Sequence, residues 1–265
     1  MNIQTQTDTS PLLRYDDAGV AWLTLNRPTA RNALSVALLT ALQAELDAVA
    51  ADKSVRVVVI GGAGPGFCAG HDLREMRADP RRETIAALFA QCSKLMTSIV
   101  RLPKPVIARV HGIATAAGCQ LVGTCDLAVA ASDARFGVNG INAGLFCSTP
   151  MVALSRNVGR KAAMEMLMTG DLIDAARAQE IGLVNRVVPA DELDGAVAAL
   201  AAQIAGKSGA ALAIGKAAFY RQIEMGLDDA YAYAAEAMTC NMQAHDALEG
   251  IDAFLAKRAP RWTDN

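Results

Sequence analysis

The stretch AAGCQLVGTCD, residues 116–126, opens on small residues and continues with an apolar face. KPVIARVHG (104–112) precedes it and DLAVAAS (126–132) follows it, each with the short apolar pattern of a buried strand. A helix between two such strands is one unit of an alternating α/β fold with a mostly parallel sheet. The first N–H groups of a helix lack partners within it, and the dipole there favours negative charge. Small residues at 116–118 leave those donors open to a ligand. Gln120 stands one turn in, where acid–base chemistry would want a carboxylate.

The pattern extends in both directions. GVAWLTLNRP (19–28) has the composition of a strand, and SVALLTALQAELDAVAAD (35–52) that of a helix capped by Ser35. VRVVVIGG (55–62) is a buried strand stopped by glycines, AGPGFCAGHDLREM a loop, and residues 83–101 a helix that ends before Pro103. Beyond about residue 190 the strands give way to four successive helical segments. This divides the chain into an α/β core over 1–190 and a helical region over 191–265.

Composition bounds the function. The 265 residues suffice for one large α/β domain with a helical appendix. Apolar residues make up 52% and aromatics only 5%, so the core is built from Ala, Val, Leu and Ile. A formal net charge of −2 provides no general field for nucleic acid. No apolar run reaches membrane-spanning length without a charge or glycine. Cys68, Cys92, Cys119, Cys125, Cys147 and Cys240 form no CxxC pair, and no histidine sits at metal spacing, so buried thiols and no metal are expected. MNIQTQTDTSPLLRYDD has neither an apolar signal core nor the Arg-rich character of a transit segment, and a cytoplasmic protein is expected.

GGAGPGFCAGHDL (61–73) is the second glycine-rich end. Gly64, Gly66 and Ala69 formally fit GxGxxA, but Pro65 interrupts them and no helix opens at Ala69, so a dinucleotide-dependent oxidoreductase has little support. A loop that offers backbone N–H groups fits better. One N–H from this loop and one from the helix start at 116–118 would form an oxyanion hole for a thioester carbonyl gaining enolate character.

NRPTARNAL (26–34), GAGPGFCAGHDL (62–73), KPVIARVHGIATAAGCQLVGTCDLAVA (104–130), GRKAAMEMLMTG (159–170), AQEIGLVNRVVP (178–189) and AFLAKR (253–258) together resemble the crotonase, or enoyl-CoA hydratase/isomerase, family. They stand in the family's order from residue 14 to residue 258. The resemblance implies a crotonase-type ββα superhelix with a helical C-terminal trimerisation region, assembled as a homotrimer or dimer of trimers. It implies an acyl-CoA substrate, with coenzyme A as part of that substrate and no separate cofactor.

By the same resemblance the oxyanion N–H groups are those of His71 and Ala117. The two positions where hydratases carry Glu are Gln120 and Gly140. A Gln orients water but has no useful proton affinity near neutral pH. GIATAAGCQL and GLFCSTP (144–150) resemble a subgroup that also lacks the usual acids. Asn139, Asn142, Cys147, Ser148 and Asp72 are the candidate replacements, with Cys147 set before a helix that Ser148 and Thr149 look able to cap. Arg31 and Lys257 are expected near the phosphates of coenzyme A, Lys257 reaching a neighbouring subunit, and the backbone of Ala69 and Leu73 near its adenine. Asp126 is expected to be structural. Two functions follow: an enzyme polarising an acyl-CoA thioester, or a non-catalytic acyl-CoA-binding protein on the same scaffold.

Overall fold

The computed structural model describes residues 10–264. Residues 1–9, part of the polar stretch from which the cytoplasmic expectation came, lie outside them. The first described element is a hairpin where one strand was expected: β1 (Leu12–Asp17) pairs antiparallel with β2 (Val20–Leu25). Its turn residues, Ala18 and Gly19, both have positive φ, 47° and 80°, the hand that matches strand twist. β1 escapes the periodicity because it is an edge strand whose last three residues are exposed, polar ones.

α1 (Val36–Ala51) starts at Ser35, whose side chain accepts the Leu38 N–H at 3.2 Å. β3 (Val57–Gly62) leads into an extended segment at 67–72, then α2 (Leu73–Ala78) and α3 (Arg82–Arg101). The short α2 replaces part of the expected loop because Asp72 caps it, accepting the Arg74 N–H. β4 (Val106–Val110), β5 (Ile113–Thr115), α4 (Ala117–Thr124), β6 (Leu127–Ala131) and β7 (Arg135–Gly137) follow. Next come α5 (Pro150–Asn157), α6 (Arg160–Thr169), β8 (Ile173–Asp174), α7 (Ala175–Glu180) and β9 (Arg186–Val188). The C-terminal helices are α8 (Leu193–Ala205), α9 (Gly209–Gln222), α10 (Leu227–Met242) and α11 (His245–Leu255).

The main sheet has the order β1-β2-β3-β4-β6-β9, parallel beyond the first pair, and a smaller sheet has the order β5-β7-β8. Single bridges Cys68–Ala114 and Leu34–His71 extend the smaller sheet across the 67–72 segment. Each turn of chain therefore lays one strand in the main sheet and one in the second, then a helix, as in β4, β5, α4. This is the ββα superhelix that the sequence resemblance implies.

One face of the main sheet packs Leu23, Val58, Ile60 and Ala108 against Leu38, Leu42 and Leu46 of α1, Leu95 and Ile99 of α3, and Leu121 of α4. The opposite face, Val57, Val59, Ile107 and Val129, is covered by Leu193, Val197, Leu200 and Ala201 of α8. Burying a Val or Leu side chain in such a layer contributes about 1.5–3 kcal/mol. No single helix among the described residues is long and apolar enough to cross a membrane.

α9 is tied down by a polar cluster. Lys216 Nζ donates to the carbonyls of Ile99 (2.9 Å) and Lys104 (3.0 Å) and to Asp126 Oδ2 (2.6 Å), which uses all three of its protons. Asp126 also accepts from Tyr220 Oη (2.9 Å) and from the Val106 N–H (2.7 Å), which bears out its structural role. Burial holds the Lys216 ammonium below its usual range against the pull of Asp126, and pushes the Tyr220 phenol up. Removing one member leaves a buried charge unpaired. Lys216→Met is expected to cost about 3–5 kcal/mol, read as a lower urea midpoint; a change below about 1 kcal/mol would show that the cluster is dispensable.

Candidate active site

α4 is buried along its whole length, and its first residue follows Ala116 at φ +49°. The Ala116 N–H donates to the Gly137 carbonyl (2.8 Å), and the Gln120 N–H to the Ala116 carbonyl (3.0 Å). The N–H groups at 117–119 therefore precede the first intrahelical bond. Gly118 is required here: a Cβ would overlap the Cys68 carbonyl oxygen, so the helix start lies directly on the 67–72 segment.

That segment turns at Gly70, φ +97°, a conformation that favours glycine. A Cβ at Gly70 would lie 2.9 Å from Ala116 Cβ and 3.3 Å from the Ala117 nitrogen. Leu34 donates to the Gly70 carbonyl (2.7 Å) and accepts the Asp72 N–H (3.3 Å). Residues alternate edges along an extended chain, so the His71 N–H points to the other edge, where Ala116 and Ala117 stand. The structure thus sets Gly70, the residue before His71, against Ala116 and Ala117.

Asn32, to which the sequence assigned no role, shapes the approach. It is fully buried, accepts the Arg27 N–H (2.8 Å), and donates to the carbonyls of Ala63 and Gly66 (2.8 Å each). Thr115 Oγ1 donates to the Ala69 carbonyl at 3.1 Å. Phe89 of α3 meets the His71 ring edge-on, with centroids 5.4 Å apart. All three act through tertiary contacts, and no spacing in the sequence marks them.

The remaining candidates divide. Gln120 is buried at 5% exposure beside the helix start. Gly140 lies in a single-turn helix at Asn139–Ala143, where its N–H donates to Cys147 Sγ (3.3 Å). A Cβ there would meet the Leu145 carbonyl at 2.5 Å and Cys147 Sγ at 2.7 Å, so the thiol fills the place of a side chain. Burial raises the Cys147 thiol, against the Gly140 N–H, which lowers its share of thiolate, the nucleophilic form. Thr149 precedes α5 without a side-chain cap bond, and Ser148 Oγ turns back to the Phe146 carbonyl (3.3 Å); the capping expected of them is corrected, since Pro150 opens the helix without needing a donor partner. Asn142 donates to the Gly170 carbonyl at 3.3 Å.

Asp72 is committed to the α2 cap and to Arg27 Nη2 at 2.9 Å. Burial works against its ionised form, and the bonds from Arg27 and the α2 backbone outweigh it and hold its carboxyl low. The Ala69 N–H donates to the Arg31 carbonyl at 3.0 Å. Leu73 and Arg31 are exposed, on the same face of the site as that bond. Lys257 lies two residues beyond α11, at φ +53°, with no side-chain bond to the segments at 26–34 or 67–73 among the described residues.

Three comparisons bear on this geometry. The mitochondrial enoyl-CoA hydratase domain-containing protein 3 of Rattus norvegicus is 44% identical over 245 residues, covering 92% of this chain and 82% of that one. The 2,3-dehydroadipyl-CoA hydratase of Escherichia coli is 40% identical over 242 residues, 91% of this chain and 94% of that one. The crystal structure of an enoyl-CoA hydratase from Mycobacterium smegmatis superposes with a TM-score of 0.93 at 60% identity, covering 95% of this chain and 98% of that one. The rat protein belongs to the subgroup whose segments the sequence resembles. Its mitochondrial location also overturns the cytoplasmic expectation: free cysteines, buried at 68, 92, 119, 125 and 147 but exposed at Cys240, do not choose among compartments. The family model for enoyl-CoA hydratase/isomerase matches residues 16–265, and the chain belongs to that family.

Proposed function

We propose that this chain is an acyl-CoA enzyme of the enoyl-CoA hydratase/isomerase type that polarises the thioester carbonyl between the N–H groups of His71 and Ala117. The observation that carries the proposal is the contact of Gly70 with Ala116 and Ala117, which leaves no room for a Cβ between the two backbones. Two fixed donors on a developing enolate oxygen favour the transition state, each typically by about 10²–10³ in rate. The hydratase relative from Escherichia coli supports turnover over a purely binding role.

Coenzyme A enters as part of the substrate. Arg31, exposed and without an ion-pair partner among the described residues, suits its phosphates, and Leu73 lines the same approach. Lys257 suits the phosphates only from a neighbouring copy. A homotrimer or a dimer of trimers accounts for the apolar side chains left outside on α10 and α11, with Leu227 at 73%, Tyr231 at 72% and Phe254 at 83% exposure. Light scattering is expected to give a mass of three or six chains; a monomer would remove Lys257 from the site.

Gln120 and Gly140 occupy the positions where hydratases carry acids, so wild-type hydration is expected to be slow. Butyryl-CoA should raise the melting temperature, and no rise at saturating ligand would sink the thioester reading. Crotonyl-CoA hydration, followed as loss of enoyl-thioester absorbance, should rise about 100-fold in Gln120→Glu. Gly140→Glu should fail to raise it and should lower stability, because the new Cβ strikes the Leu145 carbonyl. Fast hydration by the wild type that survives Gln120→Ala would show that another group holds the water.

A further inference from the structure

Three buried side-chain polar atoms lack a hydrogen-bond partner among the described residues: Nδ1 and Nε2 of His71 and Oε1 of Gln120. Buried polar atoms are paired in about 90% of cases or more, so an unpaired set calls for a ligand or a water. These three atoms fall on the two segments whose backbones meet at the candidate site. Gln120 is bonded through its N–H to the Ala116 carbonyl, so it shares a helix face with Ala116 and its side chain tilts towards that residue. Ala116 Cβ is in turn the nearest atom to a Cβ built at Gly70, the residue before His71.

The His71 ring is fixed without being satisfied. Phe89 holds it edge-on at an interplanar angle of 85°. The Leu34 carbonyl, which takes the Asp72 N–H at 3.3 Å, is the polar group that acts on the ring, and no hydrogen bond of good geometry reaches either ring nitrogen among the described residues. A cavity of about 440 Å³, lined by Val36, Met76, Ile85, Leu88 and Gln91, opens between α1, α2 and α3, with Glu75 and Glu83 at its edge. Of the charged groups near the ring, Asp72 is neutralised by Arg27, and Glu75 accepts the Val36 N–H at 2.9 Å.

We propose that the His71 imidazole is the catalytic residue that moves the proton at the acyl Cα, a role that rests on the reading of His71 and Ala117 N–H groups as the thioester oxyanion hole. Burial lowers the ring's pKa against the pull of the Leu34 carbonyl and so favours the neutral imidazole, in which one nitrogen holds a free lone pair. The Cα–H bond breaks, its proton passes to that nitrogen, and the bonding pair moves into the thioester as an enolate. The enolate oxygen accepts from the two backbone N–H groups, and Gln120 Oε1 is an uncommitted acceptor for the new imidazolium. The reverse step returns a proton to Cα, and no oxidant or reductant is consumed.

Exchange of the Cα protons of butyryl-CoA in D2O, followed by mass spectrometry, tests this directly. The wild type should exchange them, His71→Gln should lose about 100-fold or more, and His71→Ala should regain activity on addition of free imidazole. Melting temperatures with butyryl-CoA accompany each protein. Exchange in His71→Gln within about threefold of wild type would overturn the role of His71. So would absence of wild-type exchange while butyryl-CoA still raises the melting temperature. Absence of both exchange and ligand stabilisation would instead defeat the thioester reading itself.

Discussion

The start of α4 rests on the 67–72 segment with backbone against backbone, and the rest of the site follows from that contact. Gly118 has no space for a Cβ above the Cys68 carbonyl, and Gly70 has none beside Ala116 and Ala117. Close approach of this kind fixes the two backbones relative to each other without any side chain, so a hole built from their N–H groups, as proposed, would tolerate His at 71 and Ala at 117. The supports are equally specific. Leu34 holds one edge of the segment, β5 the other, and the buried Asn32 amide turns the preceding loop.

Two groups of buried polar atoms differ in a telling way. At Asp126, Lys216 and Tyr220 every charge and donor is met, with contacts that reach α3, β4 and the end of α4. A fully satisfied cluster of that sort fixes one arrangement of α9 on the core. At His71 and Gln120 the polar atoms are equally withdrawn from water, yet their partners are missing. The first group spends its hydrogen bonds on the fold. The second leaves His71 Nδ1, His71 Nε2 and Gln120 Oε1 unpaired among the described residues.

At position 140, where the family resemblance implies an acid in hydratases, the structure opposes any side chain. The space a side chain would enter there is taken by Cys147 Sγ and the Leu145 carbonyl, and the Gly140 N–H is bonded to that sulfur. The loop has repacked around a glycine, so restoring a carboxylate requires moving the loop as well. Gln120, by contrast, keeps the size and place of a glutamate and differs only in proton affinity. Of the two departures that the resemblance implies, one is therefore electronic and the other is steric.

Hydrophobic periodicity and cap residues made α1, α3, β3, β4 and β6 and the four C-terminal helices legible, because each buries one face and starts or stops on a local signal. β1, β5 and α2 were not, since they are short and owe their existence to neighbours: a hairpin partner, a second sheet, an Asp72 cap. The small residues at 116–118 and the glycines near 70 marked two backbone sites, and the family resemblance paired them. Only the tertiary structure decided that Asp72 and the Ala69 N–H are already engaged, that Cys147 fills the place at Gly140, and that the His71 imidazole is buried without a partner. Burial and hydrogen-bond saturation are properties of what surrounds a residue. The sequence names the residue and its neighbours along the chain, but the groups that enclose it come from segments tens of residues away.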